Sequence, residues 1–228
     1  MTASSTRARP AKSVKPRRSN KERRAQSDRQ IIQAAQELFA RQGYQQTSLI
    51  QIGKQAGYTG TLISNRFGSK HQLLSAVLTS ILNRFEESEE QTRAVLRNPI
   101  EVEDGETPPD AVQLMRDFVQ GYIEDAQQNP TRLRALYVIM GEGLGNIPEI
   151  QDDLKRVNLV FRRHVEGLIQ YGIDRGQFAA GADPATHATI IVGTLRGVAT
   201  QLFAEPDRAG HIGLLPALQD AIVLPLLT

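Results

Sequence analysis

Apolar residues recur at intervals of three and four positions along most of this chain from residue 27 onward. That spacing places them on one face of an α-helix, whereas a half-buried strand would alternate apolar and polar residues, and no segment does so convincingly. The pattern therefore predicts an all-α fold with about nine helices. The predicted helices are a first over 27–42, a short second between 48 and 57, a third over 59–67, a long fourth from 69, and then 109–128, 130–144, 148–172, 184–204 and 214–225.

Helix start and stop signals support these boundaries. Ser27, Ser48 and Ser69 are each followed three positions later by a glutamine, which is the pattern of a capping box at a helix N-terminus. Gly57 is typical of a residue that ends a helix, because glycine adopts a positive φ without strain. Prolines that favour a first helical turn stand near the starts of four later segments: Pro108-Pro109, Pro130, Pro148 and Pro184.

The second and third predicted helices meet at Gly57 in a pattern that indicates a helix-turn-helix. Gly53 is small enough to let two helices touch, and Gly57 permits the tight turn between them. The residues left on the outer face of the third helix are short or polar: Thr59, Gly60, Thr61, Ser64, Asn65 and Arg66. Such a face suits a helix that enters a DNA major groove, although these residues alone also fit an ordinary helical hairpin.

Basic residues are concentrated at one end of the chain. Residues 1–25 contain nine Lys and Arg against Glu22 alone, a net charge of +8; the whole chain has 27 against 25, so the remainder has 18 against 24, or −6. This segment has almost no large apolar side chains, so we expect it to be disordered in isolation. A basic arm suggests a polyanion partner, with a solvated tail of no function as the alternative.

Composition excludes several kinds of site. The chain has no Cys, which excludes disulfides, thiolate metal sites and a cysteine nucleophile and fits a reducing cytoplasm. Its four His are far apart and no nucleophile-elbow motif is present, so we expect no metal, no cofactor and no enzyme activity. No apolar run approaches the roughly 18 residues of a membrane span, so a cytoplasmic protein without membrane contact is predicted.

A longer motif runs through residues 27–74. An apolar first helix leads to Gly-Tyr, a Thr-Ser pair opens the second helix, Ala-Gly forms the turn, and an aromatic residue precedes Lys and Leu-Leu. The residues that carry it are Gly43-Tyr44, Thr47-Ser48, Ala56-Gly57, Phe67, Lys70 and Leu73-Leu74. This string resembles the DNA-binding domain of the TetR family of bacterial transcriptional regulators. Gly53, Tyr58 and Ser64 depart from the family pattern, in which Ala, Val and an aromatic residue are commoner; the change at Ser64 removes a side chain that reaches phosphate.

The resemblance implies roles for individual residues. Thr47 and Ser48, at a helix N-terminus, are expected to face a DNA phosphate, with Lys70 approaching phosphate from the other side. The residues expected near base edges are Thr59, Gly60, Thr61 and Asn65, with Ser64 on the same face. Arg66 is a candidate for either a guanine or a phosphate contact.

The resemblance also implies a division of the chain into a disordered arm (1–25), a helix-turn-helix domain (26–74) and a helical ligand-binding and dimerisation domain (75–228). Helices near 184–204 and 214–225 are expected to form half of an intermolecular four-helix bundle, unless their apolar residues are ordinary core. The candidate ligand-binding residues are Met115, Phe118, Tyr122, Tyr137, Met140, Phe161, His164 and Arg196. Apolar stripes of this kind are more often plain core than pocket.

The expected function is a dimeric repressor that a small, mainly apolar effector releases from an inverted-repeat operator in double-stranded DNA. A constitutive DNA-binding or architectural protein without an effector is the alternative. A third possibility is an all-α enzyme with an accessory DNA-binding head.

Deleting residues 1–24 should weaken binding to every duplex, because each phosphate that the arm neutralises releases counterions and contributes about −0.9 to the slope of log affinity against log salt. The measurement is DNA affinity over a series of salt concentrations. A slope equal to that of the full chain would show that the arm does not contact DNA.

Overall fold

The computed structural model describes residues 19–97, 108–145, 147–205 and 213–227, and of 84–97 only the backbone. These residues form nine α-helices and one short 3-10 turn, with no strand among them, so the predicted all-α fold is confirmed. The helices are α1 (Asn20–Gln42), α2 (Leu49–Ala56), α3 (Gly60–Phe67), α4 (Lys70–Arg97), α5 (Ala111–Gln128), α6 (Pro130–Gly143), α7 (Gln151–Asp174), α8 (Pro184–Ala204) and α9 (Leu214–Leu227). None of the helices so described is long and apolar enough to cross a membrane.

The first helix begins at Asn20 rather than at Ser27. Ser19 forms a capping box with Glu22, accepting its backbone N–H at 3.2 Å while the Glu22 carboxylate accepts the Ser19 N–H at 2.7 Å. Ser27 is buried inside the helix and donates its hydroxyl to the carbonyl oxygen of Arg24 at 2.8 Å. Residues 20–25, predicted to be disordered, are therefore helical, and the rest of the predicted arm, residues 1–18, lies outside the described residues.

The other start signals are mostly confirmed. Ser48 and Ser69 form the predicted capping boxes at α2 and α4, and Thr59 caps α3 by accepting the Leu62 N–H at 3.2 Å. Pro130 and Pro184 open α6 and α8. The Pro148 prediction differs in detail, because that proline begins the 3-10 turn Pro148–Ile150 and α7 follows it.

The turn between α2 and α3 depends on two glycines. Gly57 has φ 78°, in the left-handed region, and the Tyr58 N–H after it donates to the Gly53 carbonyl at 2.8 Å. A Cβ on Gly53 would lie 2.8 Å from the Tyr58 carbonyl oxygen, closer than van der Waals contact. The departure from the family pattern at Gly53 thus accompanies a close crossing of these two helices.

One continuous core joins the N-terminal helices to the rest of the chain. Ile31, Leu38 and Phe39 of α1 are buried, and α1 packs against α2, α4 and, over much of its length, α6. In the larger part of the fold α7 packs on α8, and α5 contacts α7, α8 and α9. The Asp153 carboxylate of α7 also accepts from Ser75 of α4 at 3.2 Å. The helices that precede α4 therefore do not form an isolated unit.

Large apolar side chains are exposed on α8 and on α9. Ile190 is 58% exposed, Leu224 is 54% exposed and Leu227 is 45% exposed. Added Cβ atoms at Gly193 and Gly197, on α8, would meet nothing within 4 Å. Both helices therefore expose residues of the small or apolar kind that helix–helix contacts between subunits use.

Replacing Gly57 with Ala should destabilise the fold by about 1 to 2 kcal/mol, since a Cβ is strained at this positive φ. The matched control is Gly121→Ala, on α5, where a Cβ meets nothing within 4 Å and φ is negative. That control should stabilise by about 0.5 to 1 kcal/mol. Urea unfolding followed by circular dichroism measures both, and an equal stability of the two variants would contradict the role of the turn.

Candidate nucleic-acid interface

The outer face of α3 is available to a partner. Thr59, Thr61, Ser64 and Asn65 are exposed, whereas Ile63 on the opposite side is fully buried. Gly60 is half-buried, because Ile50 of α2 packs against it. A Cβ added to Gly60 would lie 3.2 Å from Cγ1 of Ile50. The structure therefore places five predicted DNA-binding residues on one short helix, with their polar atoms directed away from the core.

The two residues predicted to face phosphate, Thr47 and Ser48, differ in their exposure to solvent. Ser48 is exposed at the N-terminus of α2, where its hydroxyl accepts the Gln51 N–H at 3.2 Å. Thr47 is only 2% exposed, and its hydroxyl donates to the Gly43 carbonyl at 2.6 Å. The structure thus corrects the placement of the Thr47 side chain, which holds the turn after α1 and does not face solvent.

Arg66 is directed away from the exposed face. Its guanidinium donates to the Asp28 carboxylate at 2.9 Å and to the Ser27 hydroxyl, both on α1. The Arg66 side chain is 21% exposed. This ion pair fixes the end of α3 against α1, so the structure does not place Arg66 where a guanine-reading side chain would be expected.

Lys70 is also engaged within the protein. Its Nζ donates to the carbonyl oxygens of Tyr44 at 3.1 Å and Gln45 at 3.2 Å, and lies 4.3 Å from the centre of the Tyr44 ring. The ammonium group thus stabilises the turn that precedes Ser48. A phosphate contact by Lys70 stays a prediction.

A polar groove beside α3 was missed by the sequence analysis. It is lined by the N-terminal turns of α1 and by α3, through Asn20, Arg23, Arg24, Ser27, Tyr58, Thr59, Thr61, Leu62, Asn65 and Arg66. Arg23 and Arg24 are exposed there. The signal that could have found it is Ser19 with Glu22, a capping-box pattern that starts α1 early and carries these arginines to the groove on a rigid helix.

A carboxylate from the larger part of the fold holds the turn after α1. Glu142, near the end of α6, accepts the backbone N–H of Tyr44 at 2.7 Å and that of Gln45 at 3.3 Å. The Tyr44 hydroxyl donates to Glu149 at 3.4 Å. Burial, and then the negative charge of Glu149, raise the pKa of Tyr44 to about 12. The segment that leads into α2 is therefore attached directly to α6.

Six of the eight predicted ligand-binding residues come together between α5, α6, α7 and α8. The hydroxyls of Tyr122 and Tyr137 are hydrogen-bonded to each other. The Tyr122 ring lies 6.1 Å from that of Phe161, and the Phe118 ring lies 5.0 Å from that of His164. Arg196 stacks on Phe161 at 5.1 Å. Burial raises the pKa of both tyrosines. The remaining two residues, Met115 and Met140, are respectively fully buried in the core and half-buried against it.

Comparison with known proteins agrees with this geometry. The family model described as bacterial regulatory proteins, tetR family, matches residues 31–77, which run from α1 into α4 and include the whole helix-turn-helix. Over residues 31–77 the chain is similar to the TetR family.

Curated relatives of this chain are named as transcriptional regulators. The HTH-type transcriptional regulator HbdR of Aromatoleum sp. (strain CIB) is 33% identical over 91 residues, which is 40% of this chain and 40% of that one. The HTH-type transcriptional regulator SrpR of Pseudomonas putida is 22% identical over 182 residues, covering 80% of this chain and 78% of the relative. The chain thus spans less than half of HbdR in that match and most of SrpR.

Solved structures share the fold of this chain. A TetR transcription regulator from Haloarcula marismortui ATCC 43049 superposes with a TM-score of 0.69 at 17% identity, covering 90% of this chain and 100% of that one. The regulator FadR from Bacillus subtilis, solved in complex with stearoyl-CoA, has a TM-score of 0.67 at 20% identity, covering 88% and 97%. The likeness to these structures extends over the whole helical arrangement and not over the N-terminal helices alone.

Replacing Glu142 with Gln should loosen the attachment between α6 and the turn after α1, because an amide offers one acceptor oxygen to two backbone N–H groups. We expect the free energy of unfolding to fall by about 1 to 2 kcal/mol. The control is Glu124→Gln on α5, where the carboxylate is exposed and accepts from Gln120 at 2.7 Å; a change within about 0.5 kcal/mol is expected. Equal losses in the two variants would contradict the attachment.

Proposed function

We propose that this chain is a dimeric transcriptional repressor of the TetR family that binds an inverted repeat and is released by a small, mainly apolar effector. The observation that carries this proposal is the exposed polar face of α3 beside a groove with Arg23 and Arg24. The proposed division is residues 26–74 for DNA binding and 75–228 for effector binding and dimerisation. A cytoplasmic location follows from that role.

DNA reading is proposed to divide between two helices. Asn65 on α3 carries a side-chain amide that can pair with an adenine edge through two hydrogen bonds. Thr61 and Ser64 can contact base edges at shorter reach, and Ser48 can approach phosphate at the N-terminus of α2. Arg23 and Arg24 of α1 are exposed cations that suit phosphate oxygens. The DNA base sequence is then read mainly by α3, while α1 contributes affinity for DNA that does not depend on the base sequence.

Dimerisation is proposed through the exposed face of α8 and α9. Ile190, Leu224 and Leu227 would be covered by the same residues of a second copy across a twofold axis, as in other four-helix contacts between subunits. The axis then places two copies of α3 on half-sites about one helical turn of DNA, or a multiple of it, apart. This arrangement is the reason for proposing an inverted repeat.

Effector release is proposed to act through α6. This helix carries Tyr137, in the aromatic cluster, and Glu142, which holds the backbone of Tyr44 and Gln45. A ligand that separates Tyr137 from Tyr122 shifts α6, and the shift changes the position of the turn before α2. For this to regulate binding, the ligand must favour one of the two conformations. The structure of FadR in complex with stearoyl-CoA supports the proposal that a protein of this fold binds a ligand. No turnover of the ligand is proposed, since the relatives are regulators.

The test is selection of bound duplexes from a random DNA pool, which should yield an inverted repeat. Asn65→Ala should then lose discrimination at one symmetric pair of positions by about 1 to 3 kcal/mol, because the amide that reads the base is gone. The control Asn83→Ala removes an exposed amide on α4, several turns away, and should bind as the unmodified protein does.

Light scattering on the purified protein measures its mass with and without DNA. A single subunit that binds no duplex would contradict the proposed function. Affinity for the selected operator that no ligand changes would indicate a constitutive DNA-binding protein instead.

A further inference from the structure

Arg196 of α8 is a half-buried cation within the aromatic cluster. Its Nη1 donates to Oδ1 of Asn158 on α7 at 2.5 Å, and its guanidinium stacks on Phe161. Its Nε and Nη2 atoms are buried without a hydrogen-bond partner among the described residues. Buried donors without partners are rare in folded proteins, because each has lost its hydrogen bonds to water.

The charge of Arg196 also lacks a carboxylate partner in the described part of the chain. The hydroxyls of Tyr137 and of Tyr122, which also interacts with Arg196 by a hydrogen bond, favour the charged form of Arg196, and Arg162 opposes it. Burial lowers the pKa of Arg196. The carboxylate that acts on both tyrosines, Asp125, is itself ion-paired with Arg132. A buried charge of this kind is costly unless a counter-charge reaches it.

The two unused donors have a defined geometry. The Nε and Nη2 N–H groups lie on one edge of a guanidinium, point in nearly the same direction, and match the two oxygens of a carboxylate. Asn158 uses Nη1, and no described residue completes hydrogen-bond geometry with Nε or Nη2, although the Tyr122 hydroxyl lies beside the guanidinium. A carboxylate can therefore bind Arg196 side-on without breaking the hydrogen bond to Asn158.

The residues around Arg196 determine which kind of molecule can carry this carboxylate. Phe118, Tyr122 and Phe161 contribute aromatic rings within the same cluster, and Tyr122 is 3% exposed. An apolar body in contact with these rings is favoured, while a second charge would be buried without a partner.

We propose that the effector is a monocarboxylate with an aromatic or aliphatic body, and that Arg196 binds its carboxylate through Nε and Nη2. The apolar body enters between Tyr122 and Tyr137 and separates their hydroxyls. This inference rests on the proposed effector site and narrows the effector from mainly apolar compounds in general to apolar acids.

The test uses the full chain and matched pairs of probes: phenylacetate with phenylacetamide, and octanoate with octanamide. Each amide keeps the apolar body and loses the charge and one acceptor oxygen. The protein has five Tyr and no Trp, so tyrosine emission reports binding near Tyr122 and Tyr137; calorimetry gives the affinities. At least one acid should bind with an affinity on the order of tenfold or more above that of its amide.

Variants assign the binding to one residue. Arg196→Met should weaken acid binding on the order of tenfold to a hundredfold, and Arg196→Lys, which keeps the charge but loses the two parallel donors, should fall between. The control Arg163→Met removes an exposed arginine of α7 and should leave acid binding unchanged. Thermal unfolding of each variant, with and without acid, shows whether it is folded.

Equal affinities for acids and amides in the unmodified protein would overturn the inference, and that comparison needs no variant. So would acid binding by a folded Arg196→Met protein at full affinity, or the absence of saturable binding of any probe acid. DNA affinity is measured on the same samples. Loss of acid binding alone contradicts only this inference, whereas an unmodified protein that binds no duplex contradicts the proposed function itself.

Discussion

The rest of the structure depends on the burial of α1 between two sets of helices. Ile31, Leu38 and Phe39 anchor α1 in a core that α2 and α4 share, and α6 packs along the same helix. Glu142 then fixes the turn at the end of α1 by accepting two backbone N–H groups. Because the interior is close-packed, α6, α1 and the turn after α1 are held in one arrangement. The same packing that stabilises α3 therefore connects it to the aromatic cluster.

The cations near α3 are divided between internal and external roles. Arg66 of α3 donates to Asp28 of α1, and Lys70 of α4 donates to the backbone carbonyls of Tyr44 and Gln45 after α1. These contacts orient α3 and α4 against α1 and the turn that follows it. Arg23 and Arg24 are exposed and close to the exposed face of α3. The ion pair between Arg66 and Asp28 fixes α3 against α1, and the outer face of α3 carries short polar groups, which suit close approach to base edges.

Much of the fold could be predicted from the sequence, because the signals involved are local. The spacing of apolar residues, the capping boxes at Ser48 and Ser69, and Gly57 at the turn each depend on residues within about four positions of one another. The same local signals placed Thr61, Ser64 and Asn65 on an outer face, and the structure exposes them. The early start of α1 was also a local signal, at Ser19 and Glu22, but it lay within a stretch whose charge indicated disorder.

By itself, the sequence determined the helices, the turn at Gly57 and the polar side of α3, since the periodicity of a helix decides which residues share a face. Only the tertiary structure decided the partners of the long side chains. Arg66 pairs with Asp28 across 38 residues of sequence, Glu142 reaches Tyr44 across 98, and Arg196 meets Asn158 across 38. A long side chain can reach many groups, and its hydrogen-bond partners are those that packing brings close to it. In this protein these groups lie on elements that are far apart in the chain. The burial of Arg196 with two donors unused could therefore be seen only once α5, α6, α7 and α8 were assembled.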